Sequence, residues 1–235
     1  MVMVKSKTQK PKNWYSNHIN VVPPPIQLKR ATWSKDADDG AVTSFKLCCN
    51  PTDSSSLQYE LKVRSFDTGT VEQFILWKRD LDKLIKGQNL ERVEDKFEMA
   101  RKVLEGDALA IFNEKAHDEV IKDDESFKKR IKGLAKHVFP KNALTNQKAW
   151  LCCSDDVYKK PNIKTRTWVA RLNEINLMLK EFPPNFSADQ MIQDEDFNEI
   201  IEFRIPNTWQ AKMVDQNFVP VMNKYGSAGA RVTSL

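Results

Sequence analysis

The sequence predicts a mainly α-helical protein: a two-lobed helical bundle that follows a short β-hairpin and a disordered basic N-terminal arm. Three observations support this fold class. From Val71 onward, apolar side chains recur every three or four residues, which is the spacing of one helix face. Glycine, proline and capping residues divide that pattern into segments of helical length. Between residues 43 and 66, two short runs with partial alternation instead predict strands.

The arm, residues 1–42, is the basic part of the chain. Residues 1–35 hold seven Lys or Arg and no acidic residue, so they carry +7, and the rest of the chain sums to −2 of the total +5. A triple proline favours extended chain, and the few apolar residues cannot offset the entropy of ordering, so we expect the arm to be disordered when it is alone.

The cations of the arm could neutralise phosphates while its aromatic rings stack on bases. The predicted RNA contact is Lys5, Lys7, Lys10, Lys12, Trp14, Lys29 and Arg30. The alternative is a solvated tail that only keeps the protein soluble.

The hairpin is predicted at residues 43–66. The runs TSFKLCCN and LQYELKVRSF are joined by PTDSSS, a string of turn-forming residues. Alternation places Phe45 and Leu47 on one face with Tyr59, Leu61 and Val63. We expect this face to pack on the helical body, because an isolated two-stranded unit is only marginally stable.

The first lobe, residues 67–153, is predicted as a series of helices. Thr70 and Gln73 form a capping-box pattern, and Gly87 ends that helix. Gly106 closes a second helix, Asp107 caps a third, and Asp124 or Ser126 caps a fourth. A fifth, short helix follows from residue 143 to 151. The predicted core residues of this lobe are Phe74, Trp77, Leu81, Phe97, Leu104 and Phe112.

The second lobe, residues 154–219, begins where CCSDDVYKKPNI loses periodicity. Thr165 or Thr167 caps its first helix, and the proline pair 183–184 stops that helix. Helix resumes at Ser187 or Asp194, and again at Pro206. Residues 220–235 have the composition of a flexible tail. The predicted core of this lobe is Trp168, Leu172, Ile175, Ile201 and Trp209.

The composition argues against an enzyme. The chain has no Gly-rich phosphate loop, no nucleophile elbow and no His–Glu pair at metal-ligand spacing, so we expect no catalytic residue, no cofactor and no small-molecule substrate. The adjacent pairs Cys48-Cys49 and Cys152-Cys153 lack the spacing of a zinc site, and buried, reduced thiols are the better interpretation. With no apolar run long enough for a bilayer and no secretory signal, we expect a cytoplasmic protein without membrane contact.

Two further patterns each have a functional and a structural interpretation. Asp67-Thr68-Gly69 is the triplet of aspartic proteases, but it leads directly into a predicted helix, so a turn before a cap is the simpler explanation.

On the predicted fourth helix, basic side chains form a strip opposite the apolar face. A solvated helix face explains this strip better than a particle-lining surface does. The strip comprises Lys128, Lys129, Arg130, Lys132, Lys136 and Lys141.

Four segments resemble the Gag proteins of long-terminal-repeat retrotransposons, the capsid-forming proteins of those elements. They are FDTGTVEQFILWKRDL from residue 66, ARKVLEGDALAIFN from residue 100, KPNIKTRTWVARLNEIN from residue 160 and IIEFRIPNTWQAKMV from residue 200. The resemblance covers about residues 44–218. It implies a two-lobed helical capsid protein that self-associates into intracellular virus-like particles and packages RNA.

The chain departs from the Gag pattern in two respects. It lacks the Cys-Cys-His-Cys spacing of a zinc knuckle, so RNA packaging through such a knuckle is not expected. It also has NFVPVMNKYGSAGARVTSL where Gag proteins have further helices, as in a truncated or decayed copy. The alternative function is therefore a decayed or domesticated Gag fragment that acts as a non-assembling RNA- or protein-binding module.

Overall fold

The computed structural model describes residues 24–31, 42–50, 55–114 and 123–215, with side chains as far as residue 211. It confirms the predicted class: the described residues are mainly helical, with a two-stranded antiparallel hairpin near the N-terminus. The chain divides into two compact units, one of residues 25–141 and one that contains residues 142–215. Most of the basic arm and the tail lie outside the described residues.

The first unit contains four α-helices within the described residues. They are α1 (Val71–Gly87), α2 (Val93–Lys102), α3 (Gly106–Glu114) and α4 (Asp124–Val138). The predicted capping box at Thr70 and Gln73 is present, and α1 ends at Gly87 as expected. A second capping box joins Asp123 to Ser126, so α4 is capped one residue before the predicted start. Helix α3 begins at Gly106 itself, which the sequence analysis had placed at the end of the preceding helix.

The hairpin pairs strand β1 (Val42–Cys48) with strand β2 (Gln58–Arg64) in the register Phe45 to Leu61 and Leu47 to Tyr59. Its apolar face lies on α1 as predicted. Leu47 and Val63 are buried, and a Cβ atom added to Gly87 would lie 3.0 Å from Leu47 Cδ1. The absence of a side chain at Gly87 therefore lets β1 approach the end of α1.

The core of the first unit is built on two groups of aromatic rings. In one, Phe74 packs against Phe66, Trp77 and Phe139 at centroid separations of 5.5–5.9 Å. In the other, Phe97 lies 5.7 Å from Phe112 and 5.3 Å from Phe127. The six residues predicted as the core of this lobe are all buried: Phe74, Trp77, Leu81, Phe97, Leu104 and Phe112.

The second unit contains four more α-helices within its described residues. They are α5 (Ala143–Cys153), α6 (Thr165–Met178), α7 (Asp194–Arg204) and α8 (Asn207–Asp215). Neither Thr165 nor Thr167 caps α6; its cap position is Lys164, which makes no side-chain capping bond. Both predicted restarts are present, because Ser187 caps a short 3₁₀ turn and Asp194 begins α7.

Helix α5 belongs to the second unit, whereas the sequence analysis placed residues 67–153 in the first lobe. The reason lies at the end of α7. The Arg204 guanidinium donates from Nη2 to the carbonyl of Cys152, and the Arg204 carbonyl accepts a 3.0 Å bond from the amide of Lys159. These bonds tie the end of α5 and the segment after it to α7. The charge and proline that predicted a boundary here belong to a packed segment in which Val157 is buried.

The core of the second unit surrounds Trp168, whose indole Nε1 donates to the carbonyl of Val157 at 2.9 Å. Four of its five predicted core residues are buried: Trp168, Leu172, Ile175 and Ile201. Trp209 is only half-buried, and its ring lies 4.9 Å from the Lys159 ammonium. The prediction that Trp209 is a core residue was therefore only partly right, because its half-buried ring forms a cation–π contact at the edge of the core.

Candidate functional site

The Asp67-Thr68-Gly69 triplet directly precedes α1 in the chain and contacts the start of α3. Asp67 Oδ1 accepts a 2.7 Å hydrogen bond from the backbone amide of Asp107, in the first turn of α3. Phe66 pairs with Leu104 in a parallel bridge, and Thr70 caps α1. The Asp67 carboxylate thus satisfies one of the amides that a helix leaves unpaired at its N-terminus. This geometry explains the triplet as a connection between elements of the first unit.

Gly106 is the residue that allows Asp67 to approach α3. Its φ of +47° is in the left-handed region, and a Cβ atom added there would lie 2.3 Å from Asp67 Oδ1. A side chain at this position would therefore meet both backbone strain and a steric clash. The approach of Asp67 thus explains why the LEGDAL segment has glycine at position 106, directly before Asp107.

The predicted RNA contact is described only at its C-terminal end. Lys5, Lys7, Lys10, Lys12 and Trp14 lie outside the described residues. Lys29 and Arg30 are exposed on the first unit. Beside them Ile26 is 1% exposed, and the amide of Ala31 donates to Glu72 Oε2 at 2.9 Å. The expectation of disorder is therefore wrong for this short segment, because Ile26 is buried and the Ala31 amide is hydrogen-bonded to Glu72 of α1.

The basic strip on α4 is exposed except at one position. Lys128, Lys132 and Lys136 face solvent, together with Lys129 and Lys141. Arg130, which the sequence analysis placed in the strip, is 4% exposed, and its Nη1 donates to the carbonyl of Phe112 at 3.2 Å. Arg130 therefore joins α4 to α3 and is not available to a ligand.

Acidic side chains partly neutralise the N-terminal end of this strip. Lys128 Nζ lies 2.7 Å from Glu125 Oε1, and the hydrogen bond to Glu125 raises the pKa of Lys128. Asp124 pairs with Lys96 of α2 at 2.7 Å. Lys136 and Lys141 lie further toward the C-terminal end, several residues from Asp124 and Glu125 in the chain.

Six large apolar side chains are exposed among the described residues. Three belong to the hairpin and its turn: Val42, Leu57 and Tyr59, of which Leu57 is 76% exposed. The other three are Tyr158, Leu177 and Phe203 in the second unit. Exposed apolar side chains that adjoin one another in a patch are candidates for contacts with other chains, whereas single ones are common on protein surfaces.

Arg204 and two buried amides are structurally important residues that sequence reasoning missed. The Arg204 guanidinium lies 4.8 Å above the Tyr158 ring, and its Nη1 is 4.0 Å from Asp155 Oδ1. Its buried Nε has no hydrogen-bond partner among the residues that the structure describes. Asn176 exchanges two bonds with the backbone of Ile192, and Gln190 donates to the carbonyl of Phe182. Periodicity gives no signal for such positions, because it marks apolar residues only.

The cysteines divide into protected and exposed members. Burial raises the pKa of Cys152 to about 12, with a smaller contribution from Cys153. Cys49 and Cys153 are exposed, and Cys48 and Cys152 are half-buried, so the expectation of buried thiols was wrong for the first two and only partly right for the other two. All four are free. The described part of the chain contains no group of three or more His, Cys, Asp or Glu side chains that could hold a metal ion.

In the part of the chain that the structure describes, no helix combines the length and the apolar character needed to cross a bilayer. No family model, curated protein or solved structure matches this chain. Its function must therefore be inferred from its own residues.

Proposed function

We propose that this protein is a retrotransposon Gag-like capsid protein that associates with copies of itself into a shell. One observation carries the proposal: two compact helical units bury their own aromatic cores and still expose large apolar side chains on both units. The four Gag-like segments quoted above support the same function.

The mechanism is geometric. Each unit presents surface that its own core does not use, so contacts on the two units can join one copy to different neighbours. An isologous contact on one unit combined with a second contact on the other produces an extended assembly, which closes if the rotation between neighbours allows it. No bond is made or broken in this process.

RNA is the second partner that we propose. Basic side chains at Lys29 and Arg30 and on α4 supply exposed positive charge on the first unit, and the sequence places four more lysines before residue 13. Phosphate neutralisation by such groups is independent of base sequence and falls as salt concentration rises. We therefore expect RNA binding to depend strongly on ionic strength.

Assembly is tested by size-exclusion chromatography and negative-stain microscopy of the full chain, with and without RNA. We expect particles of uniform size. In the second unit, Phe203→Ala should weaken assembly, because Phe203 is an exposed apolar residue of α7. Glu199→Ala is the matched control, since Glu199 is an exposed polar residue of the same helix.

A chain that remains monomeric or dimeric at all concentrations would contradict the capsid proposal. If that small species still binds RNA in a salt-dependent manner, the alternative holds: a non-assembling, domesticated or decayed Gag module. The exposed lysines of α4 favour this second candidate over a module that binds only protein.

A further inference from the structure

The C-terminal end of α7 carries exposed aromatic side chains in the second unit. Phe203 is 43% exposed and Tyr158 is 41% exposed. Two cations lie on rings at this end: the Arg204 guanidinium lies over the Tyr158 ring, and the Lys159 ammonium lies 4.9 Å from the centre of the half-buried Trp209 ring. Together Tyr158, Phe203 and Trp209 form what we call the aromatic surface.

Backbone contacts bring the members of the aromatic surface to the same end of α7. The amide of Lys159 donates to the Arg204 carbonyl at 3.0 Å, so the segment that contains Tyr158 lies beside the last residue of the helix. Phe203 directly precedes Arg204 in α7. Adjoining exposed apolar side chains with a charged rim are typical of protein interfaces, where aromatic residues and Arg are enriched.

Charges of opposite sign lie on the two sides of the aromatic surface. On one side, Asp194 and Glu195 are exposed in the first turn of α7. Glu195 comes eight residues before Phe203, which is about 12 Å along the helix. On the other side, Lys160 is exposed and directly follows Lys159, whose amide bonds to the end of α7. The surface is therefore acidic at one end, aromatic in the middle and basic at the other end.

We propose that the aromatic surface binds the same surface of a second copy across a two-fold axis at Phe203, with the two α7 helices antiparallel. This inference rests on the proposed function and names one contact of the assembly. The rotation brings the first turn of each α7 to the last turn of the other, so Glu195 of each copy faces Lys160 of its neighbour. The two Phe203 rings meet at the axis, and the contact is isologous.

The order of charges favours a second copy in this orientation. A surface that is acidic, aromatic and basic in sequence is complementary to itself after a half turn, whereas parallel α7 helices would set two Glu195 carboxylates against each other. Asp155 does not reverse the sign of the basic end, because it lies 4.0 Å from Nη1 of Arg204. RNA is a poor occupant of the same surface, because its phosphates would meet the carboxylates of Asp194 and Glu195.

The first experiment reverses one charge at each end of the surface in the full chain, with the variants Glu195→Lys and Lys160→Glu. Sedimentation velocity of nuclease-treated protein measures the dimer dissociation constant. Each variant alone opposes like charges twice, so we expect that constant to rise about tenfold. A mixture of the two restores both opposite-charge pairs between unlike copies. The mixed dimer, identified by a fluorescent label on one variant, should therefore form with nearly the original affinity.

The second experiment tests the aromatic centre. Phe203→Ala removes a ring from both copies at the axis, so the dissociation constant should rise at least about thirtyfold, as it does for a hot-spot residue. Because Phe203 is exposed, its truncation should leave the thermal unfolding of the monomer nearly unchanged. This combination separates a lost contact from a lost fold.

The matched control is Lys180→Glu, which reverses another exposed lysine of the second unit. Lys180 follows Trp168 by twelve residues, or about 18 Å along α6 and the turn after it, whereas the Trp168 indole bonds to Val157, next to Tyr158. We expect this variant to dimerise like the parent chain. An equal loss of affinity in Lys180→Glu would mean that overall charge, and not the proposed pair, controls association.

The outcomes distinguish this contact from the proposed function. Unchanged association of the single variants, no restoration in the mixture, or association that requires RNA would overturn the α7 contact, and particles seen by microscopy would still support the capsid function. Restored mixed dimers without particles would support the contact and contradict the capsid function. A parent chain that never associates would overturn both.

Discussion

The carboxylate of Asp67 accepts a 2.7 Å hydrogen bond from the backbone amide of Asp107, forty residues later in the chain. This bond joins the loop before α1 to the first turn of α3. Around it, the amide of Phe66 donates to Val103, the amide of Glu105 donates to Phe66, and the Trp77 indole donates to the Val103 carbonyl at 2.7 Å. The most protease-like triplet of the sequence is thus part of the framework of the first unit.

Replacing Asp67 tests whether its carboxylate serves as a helix cap. Asp67→Ala removes the acceptor and should lower the free energy of unfolding by about 1 kcal/mol. Asp67→Asn keeps an acceptor oxygen and should be nearly neutral. Urea unfolding followed by circular dichroism measures both variants. If Asp67→Asn cost as much as Asp67→Ala, an acidic side chain would be needed here for a reason other than the cap.

Gly106→Ala should be more damaging than Asp67→Ala. It combines the strain of a positive φ with a clash against the Asp67 carboxylate, and together these should cost at least about 2 kcal/mol. A double-mutant cycle separates the two effects, because Asp67→Ala removes the clash but not the strain. We expect Gly106→Ala to cost less when Asp67 is already alanine. Additive losses would mean that the carboxylate does not limit this position.

Trp168→Ala should unfold the second unit. The ring is 1% exposed, and emptying a large aromatic site costs about 3 to 5 kcal/mol. Trp168→Phe keeps most of the packing but loses the bond to Val157, so about 1 kcal/mol should be lost. Trp209→Ala is the comparison, and a smaller loss is expected because that ring is half-buried. Thermal unfolding of the three variants checks this order, and equal losses at both tryptophans would contradict it.

The capping and spacing rules predicted most of the helices, because the residues that start a helix and form its apolar face lie close together in the chain. Thr70 and Gln73 lie within one turn, so the sequence alone contains both partners of the capping box that was predicted. Asp123 and Ser126 are equally close, and the predicted cap of α4 missed Asp123 by one residue. The apolar stripe of α1 likewise identified Phe74, Trp77 and Leu81 as core residues.

The errors arose where the cause is distant in the chain. Gly106 was interpreted as the end of a helix, because nothing local indicates that Asp67 occupies the space beside it. Nothing local shows that α5 packs with the second unit, because the partner of the Cys152 carbonyl is Arg204, fifty-two residues later. Charge patterning placed Arg130 in an exposed strip, although its guanidinium finds a carbonyl on α3. Contacts between residues so far apart in the sequence can be identified only in the folded structure.

Thiol reactivity should separate Cys152 from its neighbour. Burial raises the pKa of Cys152 from 9.0 to about 12, so its thiolate is scarce at pH 8, while Cys153 is exposed. Iodoacetamide at pH 8 should modify Cys153 and Cys49 well before Cys152, as mapped by mass spectrometry.

Because the pKa of Cys152 is raised in the folded state, the stabilisation that this thiol contributes is complete below pH 9 and is lost as the pH rises from 9 to 12. Cys152→Ala should remove that part of the alkaline destabilisation, and equal alkylation of all thiols at pH 8 would contradict the protection.

The N-terminal lysines and the α4 lysines are two distinct candidates for the RNA contact. Reversing Lys5, Lys7, Lys10 and Lys12 to glutamate should lower the RNA retained by the purified protein without changing its helical content, because the sequence of the arm predicts no helix. Reversing Lys128, Lys132 and Lys136 is the matched comparison, since these side chains are exposed on a folded helix. The ratio of absorbance at 260 and 280 nm measures the retained RNA, and circular dichroism measures the fold. Each phosphate contact on single-stranded RNA contributes about 0.7 to the slope of log affinity against log salt, so the variant that lost the true contact should also show the shallower slope. Unchanged RNA content after reversal of the arm would reject its role and leave α4 as the contact.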